Sequence, residues 1–291
     1  MHGDPHGDPH GDPRGDPRGA DVRPKKGPGV TITLVPQLYL ERIHCMSEVN
    51  RGTRAPSLAQ LRTVHEAHLL AVPFENLSIH YGQSIILEEA ALYDKIVRRR
   101  RGGFCYELNG LFAWLLRQLG FTVTLLSARV AQTDGGFSPA FDHMALWVRH
   151  LDGADWLADV GFGDSFRQPL RLQPDVEQDG ADGRRYRLRF DANDGSWLMQ
   201  QCGESGWEAQ YRFTLQPHIM ADFADRCHFQ QTSPDSHFTQ KRICSLALPD
   251  GRITLSDRRL ITTQHGARLE RELASEDEYR DVLAEQFGVI L

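Results

Sequence analysis

Hydrophobic positions in the first third of the chain recur at helical spacing. Residues 56–72 (PSLAQLRTVHEAHLLAV) carry leucines three to four positions apart, and Pro73 ends the segment because its ring cannot continue a helix. Residues 88–100 show similar spacing and end at two glycines. Over residues 105–118, leucine and phenylalanine side chains fall on one face, and Gly120 stands where a helix cap is expected. This third of the chain therefore predicts a helical bundle.

The pattern changes to that of β-strands after residue 120. FTVTLLSARVA is β-branched and apolar, and RRYRLRF alternates strictly between polar and apolar positions. MALWV and WLADV flank the dipeptide at 152–153, Asp-Gly, which is typical of a hairpin turn. WLMQQC, RITLS and RLITTQ are further strand-like runs, and Ser275 with Glu278 forms a capping pattern before a final helix. The order predicts an α+β fold, with helices packed against a β-barrel or sandwich.

The first thirty residues differ from the rest of the chain. The tetrapeptide GDPH or GDPR repeats over residues 3–18, and Pro- and Gly-rich sequence follows. Almost nothing in this stretch is apolar, so folding would cost backbone entropy without compensating burial. We therefore expect a disordered tail, which we place at residues 1–36.

Composition and charge narrow the classes of function. The chain has 291 residues, of which 40% are hydrophobic and 25% charged, as is typical of soluble globular proteins. Its formal net charge of −6 argues against a generic binder of nucleic acid or of anionic membranes. We find no run of about 18 apolar residues and no apolar core of a signal peptide, so we expect neither a membrane span nor export.

The cysteines and histidines do not form a recognisable metal or disulfide pattern. The number of cysteines, 5, is odd, and no two of them stand in C-x-x-C spacing. We therefore expect reduced thiols and a cytoplasmic location. No HExxH motif accompanies the 13 histidines, so we expect no metal and no bound cofactor.

One cysteine stands at the start of a predicted helix. Cys105 follows Gly102, Gly103 and Phe104. The field of a helix N-terminus stabilises a thiolate, so a thiol there is expected to have a lowered pKa and to be reactive. The alternative is a small buried hydrophobic residue, because cysteines are among the most buried residue types. We expect no nucleophile among the other four, Cys45, Cys202, Cys227 and Cys244.

A thiol nucleophile needs a base, and the base needs an orienting group. His143 begins the strand-like run HMALWV, and Asp159 lies within the apolar run WLADVGF. A buried carboxylate is costly unless it is paired, so Asp159 indicates a partner such as an imidazole; alternatively, it solvates a strand end. A two-residue turn at 152–153 would place His143 opposite Phe162, about 10 Å along the strand from Asp159. Either this hairpin is bulged or the two strands are not simple neighbours.

The stretches RGGFCYELNGLF, FDHMALWV and WLADVGFG, in this order and spacing, resemble the arylamine N-acetyltransferases. VPFENLSI at 72–79 and YRFTLQPHIMADF with TSPDSHFTQ at 211–240 add to the resemblance, which covers residues 37–291. Two features depart from the family pattern. One is the repeat tail, and the other is Asp142, an acidic neighbour of His143.

The resemblance implies three parts and a reaction. A helical bundle bearing the cysteine would occupy 37–120, an antiparallel β-barrel bearing the histidine and aspartate 121–225, and an α/β lid 226–291, around a Cys-His-Asp core like that of cysteine proteases. Cys105 would take the acetyl group from acetyl-CoA as a thioester, which an aromatic amine or hydrazine would then attack. His143 would share the proton of the thiol, and Asp159 would hold the imidazole.

The resemblance also assigns residues to the acceptor pocket. Phe74 would line it, with Val130 and Phe162 beside it. Phe238 would close the cleft from the lid.

The resemblance covers four further positions. Gly161 and Gly163 would lie beside the pyrophosphate of CoA. Glu75 and Arg101 match a buried structural ion pair, although Arg101 taken alone also suits a clamp for a CoA phosphate.

Other interpretations use the same residues. A transglutaminase-like or papain-like hydrolase shares the Cys-His-Asp order but attacks amides, and it needs an open groove. An amide synthase of the same family would use the cysteine with an acyl carrier as donor. A carrier or sensor protein would keep the fold without catalysing a reaction, but here the cysteine, the histidine and the aspartate are all present. No motif identifies the acceptor amine, the preferred acyl-CoA or the number of subunits.

Overall fold

The computed structural model describes residues 33–47 and 55–291. The predicted disordered tail lies outside the described residues as far as residue 32. From Thr33 to Leu291 the chain forms one compact unit, and its first helix begins at Pro36. The division into three parts at residues 120 and 225 stays a prediction.

Helices make up most of the described residues as far as residue 118. They are α1 (Pro36–Arg42), α2 (Leu58–Ala71), α3 (Leu77–His80), α4 (Glu89–Tyr93), its continuation as a π-helix (Asp94–Arg98), and α5 (Cys105–Gln118), with the short strand β1 (Phe74–Glu75) before α3. The hydroxyl of Ser57 accepts the N–H of Gln60 and caps α2, which ends just before Pro73. The three helices predicted from the hydrophobic spacing are confirmed.

Helix α5 is buried along most of its length. We expected one apolar face, but every residue from 105 to 116 is buried. The reason is that α5 packs against α4 on one side and against two strands of the following sheet on another. A helix covered from several sides buries its polar positions too, so the polar residues of α5 need partners inside the protein.

The second part of the chain forms a sheet of eight antiparallel strands. They are β2 (Thr122–Val130), β3 (His143–Leu151), β4 (Ala154–Ala158), β5 (Leu170–Arg171), β6 (Glu177–Asp179), β7 (Arg185–Asp191), β8 (Ser196–Gly203) and β9 (Gly206–Phe213), in the order β5-β4-β3-β2-β9-β8-β7-β6. The side chain of Gln178 in β6 bonds to the backbone N–H and C=O of Arg171 in β5, at 2.7 and 3.0 Å. This contact joins the two edge strands, so the sheet is a nearly closed barrel.

The last part adds short helices and a second sheet. Its elements are a 3₁₀ turn (Met220–Phe223), α6 (Ala224–Thr232), α7 (His237–Gln240), β10 (Ile243–Leu248), β11 (Gly251–Ser256), β12 (Arg259–Gln264), β13 (Ala267–Glu272) and α8 (Glu276–Phe287). Strand β1 pairs with β10, so the sheet order is β1-β10-β11-β12-β13. Ser275 caps α8 as predicted, and apolar residues of α8 pack into the core of this sheet. The α+β class with an antiparallel barrel is confirmed.

Candidate active site

Close packing of the backbone determines that helix α5 begins at Cys105. The carboxylate of Glu107 accepts the N–H of Phe104 at 3.1 Å and so caps the helix. A Cβ on Gly103 would lie 2.7 Å from that carboxylate, and a Cβ on Gly102 would lie 2.0 Å from the carbonyl oxygen of the residue before β1. Only glycines let the chain pass this close to β1 and then turn into the helix.

The thiol of Cys105 is buried beside the start of strand β3. Its Sγ lies 4.0 Å from the carbonyl oxygen of Asp142, and the backbone N–H of Met144 also hydrogen-bonds to it. These two residues flank His143, so the thiol lies against the backbone on both sides of the histidine.

Burial raises the pKa of the Cys105 thiol well above its usual value. The N–H of Met144 acts in the opposite direction, whereas the carboxylates of Asp159 and Asp142 raise the pKa further. This direction is opposite to our expectation of a lowered pKa, and desolvation by burial is its largest cause. A thiol in this environment is protonated at neutral pH and needs a base to become a nucleophile.

The His143 ring and the Asp159 carboxylate meet directly. His143 Nε2 lies 2.7 Å from Asp159 Oδ2, and both side chains are buried. The other carboxylate oxygen accepts the side-chain amide of Asn109 at 2.8 Å and the N–H of Gly161 at 2.9 Å. Burial alone would raise the pKa of Asp159, but His143, Asn109 and Gly161 together hold it below its usual value. Asp159 is therefore ionised and fixes the ring of His143.

A bulge in the hairpin brings these two residues together. Strands β3 and β4 are direct neighbours, and their register shifts between Val148 and Leu151, where His150 has a φ of 55°. Beyond the bulge Leu146 pairs with Ala158. Asp159 is therefore offset from His143 by two residues along the strands, as a diagonal neighbour, instead of by the three residues of a hairpin without a bulge. Of the two alternatives that the sequence left open, the bulged hairpin is the observed one.

Three residues that sequence reasoning missed support the pair. Asn109 lies one turn after Cys105 and also bonds to the backbone of β3 and of the segment after β4. The ring of His65 accepts the N–H of Asp159 at 3.1 Å, and Tyr211 packs with its ring centre 5.1 Å from that of His143. No local pattern marks these roles, since Asn109 is one of several polar residues of α5 and His65 lies among leucines on α2.

The predicted pocket residues fall into two groups. Phe162 packs against His143, with ring centres 5.1 Å apart, and Val130 pairs with Tyr211 between β2 and β9. Phe74 instead packs against Phe238, at 6.1 Å.

The two glycines after Asp159 differ in their surroundings. A Cβ on Gly161 would lie 2.8 Å from the Cα of Cys105. Gly163 has open space around it and a φ of +93°.

Glu75 and Arg101 lie in a buried cluster of charges. Arg101 Nη2 lies 2.9 Å from Glu75 Oε1, and Lys95 Nζ lies 3.6 Å from the same oxygen. Lys95 also donates to Glu107 at 2.8 Å. All four side chains are buried. These two acidic and two basic side chains connect β1 to the start of α5.

Metal sites, membrane-spanning helices and disulfides are absent from the described residues. In the ranges 33–47 and 55–291 no three or more His, Cys, Asp or Glu side chains are grouped so that they could hold a metal ion. No helix within those ranges is long and apolar enough to cross a membrane. No disulfide joins any of the five cysteines, all of which lie in those ranges.

Comparison with known proteins gives consistent matches over most of the chain. A family model described as N-acetyltransferase matches residues 57–291. The arylamine N-acetyltransferase / N-hydroxyarylamine O-acetyltransferase of Salmonella typhimurium is 34% identical over 259 residues, which are 86% of this chain and 87% of the relative. Human arylamine N-acetyltransferase 1 is 33% identical over 280 residues, 88% of this chain and 94% of the relative.

Solved structures agree with the sequence matches. The Salmonella typhimurium arylamine N-acetyltransferase superposes with a TM-score of 0.81 at 32% identity, covering 89% of this chain and 92% of that one. The Mycobacterium marinum arylamine N-acetyltransferase in complex with CoA superposes with a TM-score of 0.77 at 33% identity, covering 88% and 93%. The chain belongs to the arylamine N-acetyltransferase family, a family of acyltransferases.

Proposed function

We propose that the protein transfers an acetyl group from acetyl-CoA to aromatic amines and hydrazines through a thioester on Cys105. One observation carries this proposal: the His143–Asp159 pair, 2.7 Å apart, adjoins the backbone that holds the Cys105 thiol. The names of the related proteins give the acceptor class, and the CoA complex of the Mycobacterium marinum protein supports the donor.

The first step is transfer of the thiol proton. Because His143 Nε2 is bonded to Asp159, the other ring nitrogen, Nδ1, is the acceptor for that proton. The resulting imidazolium is stabilised by the ionised Asp159 carboxylate. This stabilisation matters here because burial otherwise keeps the Cys105 thiol protonated.

Acetyl transfer then proceeds in two half-reactions. The Cys105 thiolate attacks the thioester carbonyl, a new C–S bond forms, and CoA leaves as a thiol with the proton held by His143. In the second half-reaction the amine nitrogen attacks the acetyl group, the bond to Cys105 breaks, and His143 passes the amine proton to the departing thiolate. The products are an N-acetylated amine, CoA and the regenerated thiol.

The remaining assignments follow the resemblance and the packing. Phe162 and Val130, beside the ring of Tyr211, and the pair Phe74–Phe238 would line the acceptor side. Gly161 and Gly163 would leave room for the pyrophosphate of CoA. Arg101 would be structural, because its guanidinium is buried against Glu75.

Intact mass spectrometry tests the proposal. The protein is incubated with acetyl-CoA in the absence of an amine, alongside the variants Cys105→Ala and Cys227→Ala, since Cys227 is a second buried thiol near the site. We expect a single acetyl adduct in the native protein and in Cys227→Ala, none in Cys105→Ala, and loss of the adduct when an arylamine is added. If no adduct forms although iodoacetamide alkylates Cys105, the acetyl-CoA route is wrong. An amidase, or an amide synthase that takes its acyl group from a carrier protein, then becomes the better interpretation.

A further inference from the structure

Asp142, the residue that departs from the family pattern, is bound by a helix from the last part of the chain. Its Oδ1 accepts Arg226 Nε at 2.7 Å and lies 2.6 Å from Arg226 Nη2. The side-chain amide of Gln230 donates to the same oxygen at 2.5 Å. Arg226 and Gln230 lie on successive turns of α6, so this helix holds the residue just before His143.

The backbone at this point is strained and held from other elements as well. Phe141 has a φ of 65°, in the left-handed region that bulky residues rarely adopt. Its N–H donates to the hydroxyl of Ser127 in β2, and its carbonyl accepts the hydroxyl of Tyr106 in α5, both at 2.7 Å. The turn before His143 is therefore held by β2, α5 and α6 together.

The charge of Asp142 also acts on the thiol. The titratable and charged groups around Cys105 are Asp142 and His143 at the start of β3, Asp159 after β4, Arg226 and Cys227 on α6, and Tyr106 and Glu107 on its own helix. Asp159 is paired with His143. Asp142 is the other carboxylate that opposes the thiolate, and Arg226 is the cation that neutralises it.

We propose that Arg226 is a positioning residue for acetyl transfer, which cancels the charge of Asp142 beside the nucleophile and holds the turn that carries His143. The role rests on the proposed function of Cys105 and His143. The ion pair is half-buried, with the Asp142 and Arg226 side chains 14% and 20% exposed, so solvent screens it only in part.

The same helix connects this turn to the acceptor side. Gln230 Oε1 accepts the hydroxyl of Ser236 at 2.6 Å, and that hydroxyl oxygen accepts the N–H of Phe238 at 3.2 Å. A continuous chain of hydrogen bonds therefore runs from Asp142 to Phe238. This chain passes through Gln230, whereas Arg226 bonds to Asp142 alone, so a change at Arg226 is expected to act on the turn before His143.

The test is the pH profile of Cys105 alkylation by iodoacetamide, which needs no acetyl-CoA. Alkylation follows the thiolate fraction, so its midpoint reports the charge balance at the thiol. In Arg226→Gln the uncompensated carboxylate should raise the midpoint by about half to one pH unit, which lowers the rate at a fixed pH about three- to tenfold. Asp142→Asn should lower the midpoint, and the double variant should return close to the native profile.

Two further variants separate charge from geometry. Arg226→Lys keeps the cation, so its midpoint should lie nearer the native one than that of Arg226→Gln. Arg189→Gln removes an arginine from an exposed ion pair with Asp175 on the barrel and should leave the profile unchanged.

The outcomes are decisive in both directions. Opposite shifts in the single variants with recovery in the double variant support the proposal. Shifts in one direction, or none, would overturn it. If Arg226→Gln does not fold, Asp142→Asn alone must still lower the midpoint, and an unchanged midpoint there overturns the proposal. Alkylation does not depend on the acetyl donor. The pH profile of Cys105 alkylation can therefore be interpreted even if no acetyl adduct forms.

Discussion

The side-chain amide of Asn109 donates to the carboxylate of Asp159 at 2.8 Å and to the carbonyl oxygen of Met144 at 2.6 Å. Its own oxygen accepts the N–H of Val160 at 2.9 Å. One buried amide on the helix that begins with Cys105 therefore bonds both to β3, which carries His143, and to the segment after β4, which carries Asp159. The relative position of Cys105 and His143 depends on it.

Asn109→Ala should lower both activity and stability. The variant leaves the N–H of Val160 and the carbonyl of Met144 buried without this partner, which costs about 1–3 kcal/mol of unfolding free energy. Misplacement of Asp159 should lower kcat/KM for acetyl transfer about 100-fold. Steady-state kinetics and urea denaturation measure the two effects. Asn193→Ala, at an exposed turn, is the control and should change neither. Native kcat/KM in Asn109→Ala would contradict the positioning role.

Gly161→Ala and Gly163→Ala should differ in their effect on the thiol. At 161 the new methyl group would meet the Cα of Cys105 at 2.8 Å, so the start of α5 must move, at about 1–3 kcal/mol of stability. At 163 there is space, and the cost is that of a φ of +93°, about 1 kcal/mol. Urea denaturation and the rate of Cys105 alkylation are measured together. We expect a changed alkylation rate in Gly161→Ala and a native rate in Gly163→Ala; equal rates in both would refute the close packing at 161.

The Glu75–Arg101 pair should show strong coupling. Glu75→Gln leaves the buried Arg101 without its carboxylate and should cost about 3–5 kcal/mol of unfolding free energy. Arg101→Met should cost less, because Lys95, 3.6 Å away, still pairs with Glu75. The double variant should lose much less than the sum, because neither charge then remains. A double-mutant cycle by urea denaturation measures the coupling, and additive losses would rule it out. Glu177 and Arg185, an exposed pair on the barrel, provide the control cycle and should show little coupling.

Hydrophobic spacing predicted several elements closely because their signals are local. Helix α5 has a periodic apolar face and glycines near both ends, and its observed bounds are the predicted ones. Strand β13 was missed because every residue in Ala267–Glu272 is exposed, so no alternation marks it. Strand β10, ICSLAL, is a short apolar run whose type periodicity alone cannot decide.

The residues of the candidate site could be proposed from the sequence, but the way they meet could not. Cys105 and His143 stand where their local context marks them. The meeting of His143 with Asp159 depends on a bulge whose left-handed residue, His150, is not a glycine and so gave no signal. The partner of Asp142 is on a helix 84 residues away along the chain, and no local pattern predicts a contact at that separation.

Burial also explains why the pKa of Cys105 was predicted with the wrong sign. The field of a helix N-terminus can be read from the sequence, but desolvation depends on what covers the thiol. Here the covering elements are β3 and α6, which come 38 or more residues later in the chain. The dominant effect was therefore not visible from the residues around 105.

Two buried histidines on α2 should make stability depend on pH. Burial lowers the pKa of His65 to about 4 and that of His68 well below its usual value, so both are neutral in the folded protein. In the unfolded chain they take up protons below about pH 6.5. The stability that the neutral rings provide is therefore fully present above pH 6.5 and is lost as the pH falls towards 4. For His65 the loss amounts to about 3 kcal/mol.

His65→Gln tests this dependence directly. The variant should be less stable at pH 7.5, because the ring no longer accepts the N–H of Asp159 or bonds to the carbonyl of Arg167. Between pH 6.5 and 4.5 the unfolding free energy of the variant should fall less steeply than that of the native protein. The difference in slope should be about 1.4 kcal/mol per pH unit, since one proton fewer is taken up on unfolding.

Val64→Ala is the matched control for His65→Gln, because it opens a cavity at a buried neighbour on the same helix without removing a titrating group. Its urea-denaturation curve against pH should run parallel to the native one. The carboxylates of Asp159 and Glu75, whose pKa values are lowered, lose their stabilising effect only as the pH falls below about 4, so the two contributions occupy separate windows. Parallel curves for the native protein and His65→Gln would mean that the His65 ring is not held neutral against Asp159.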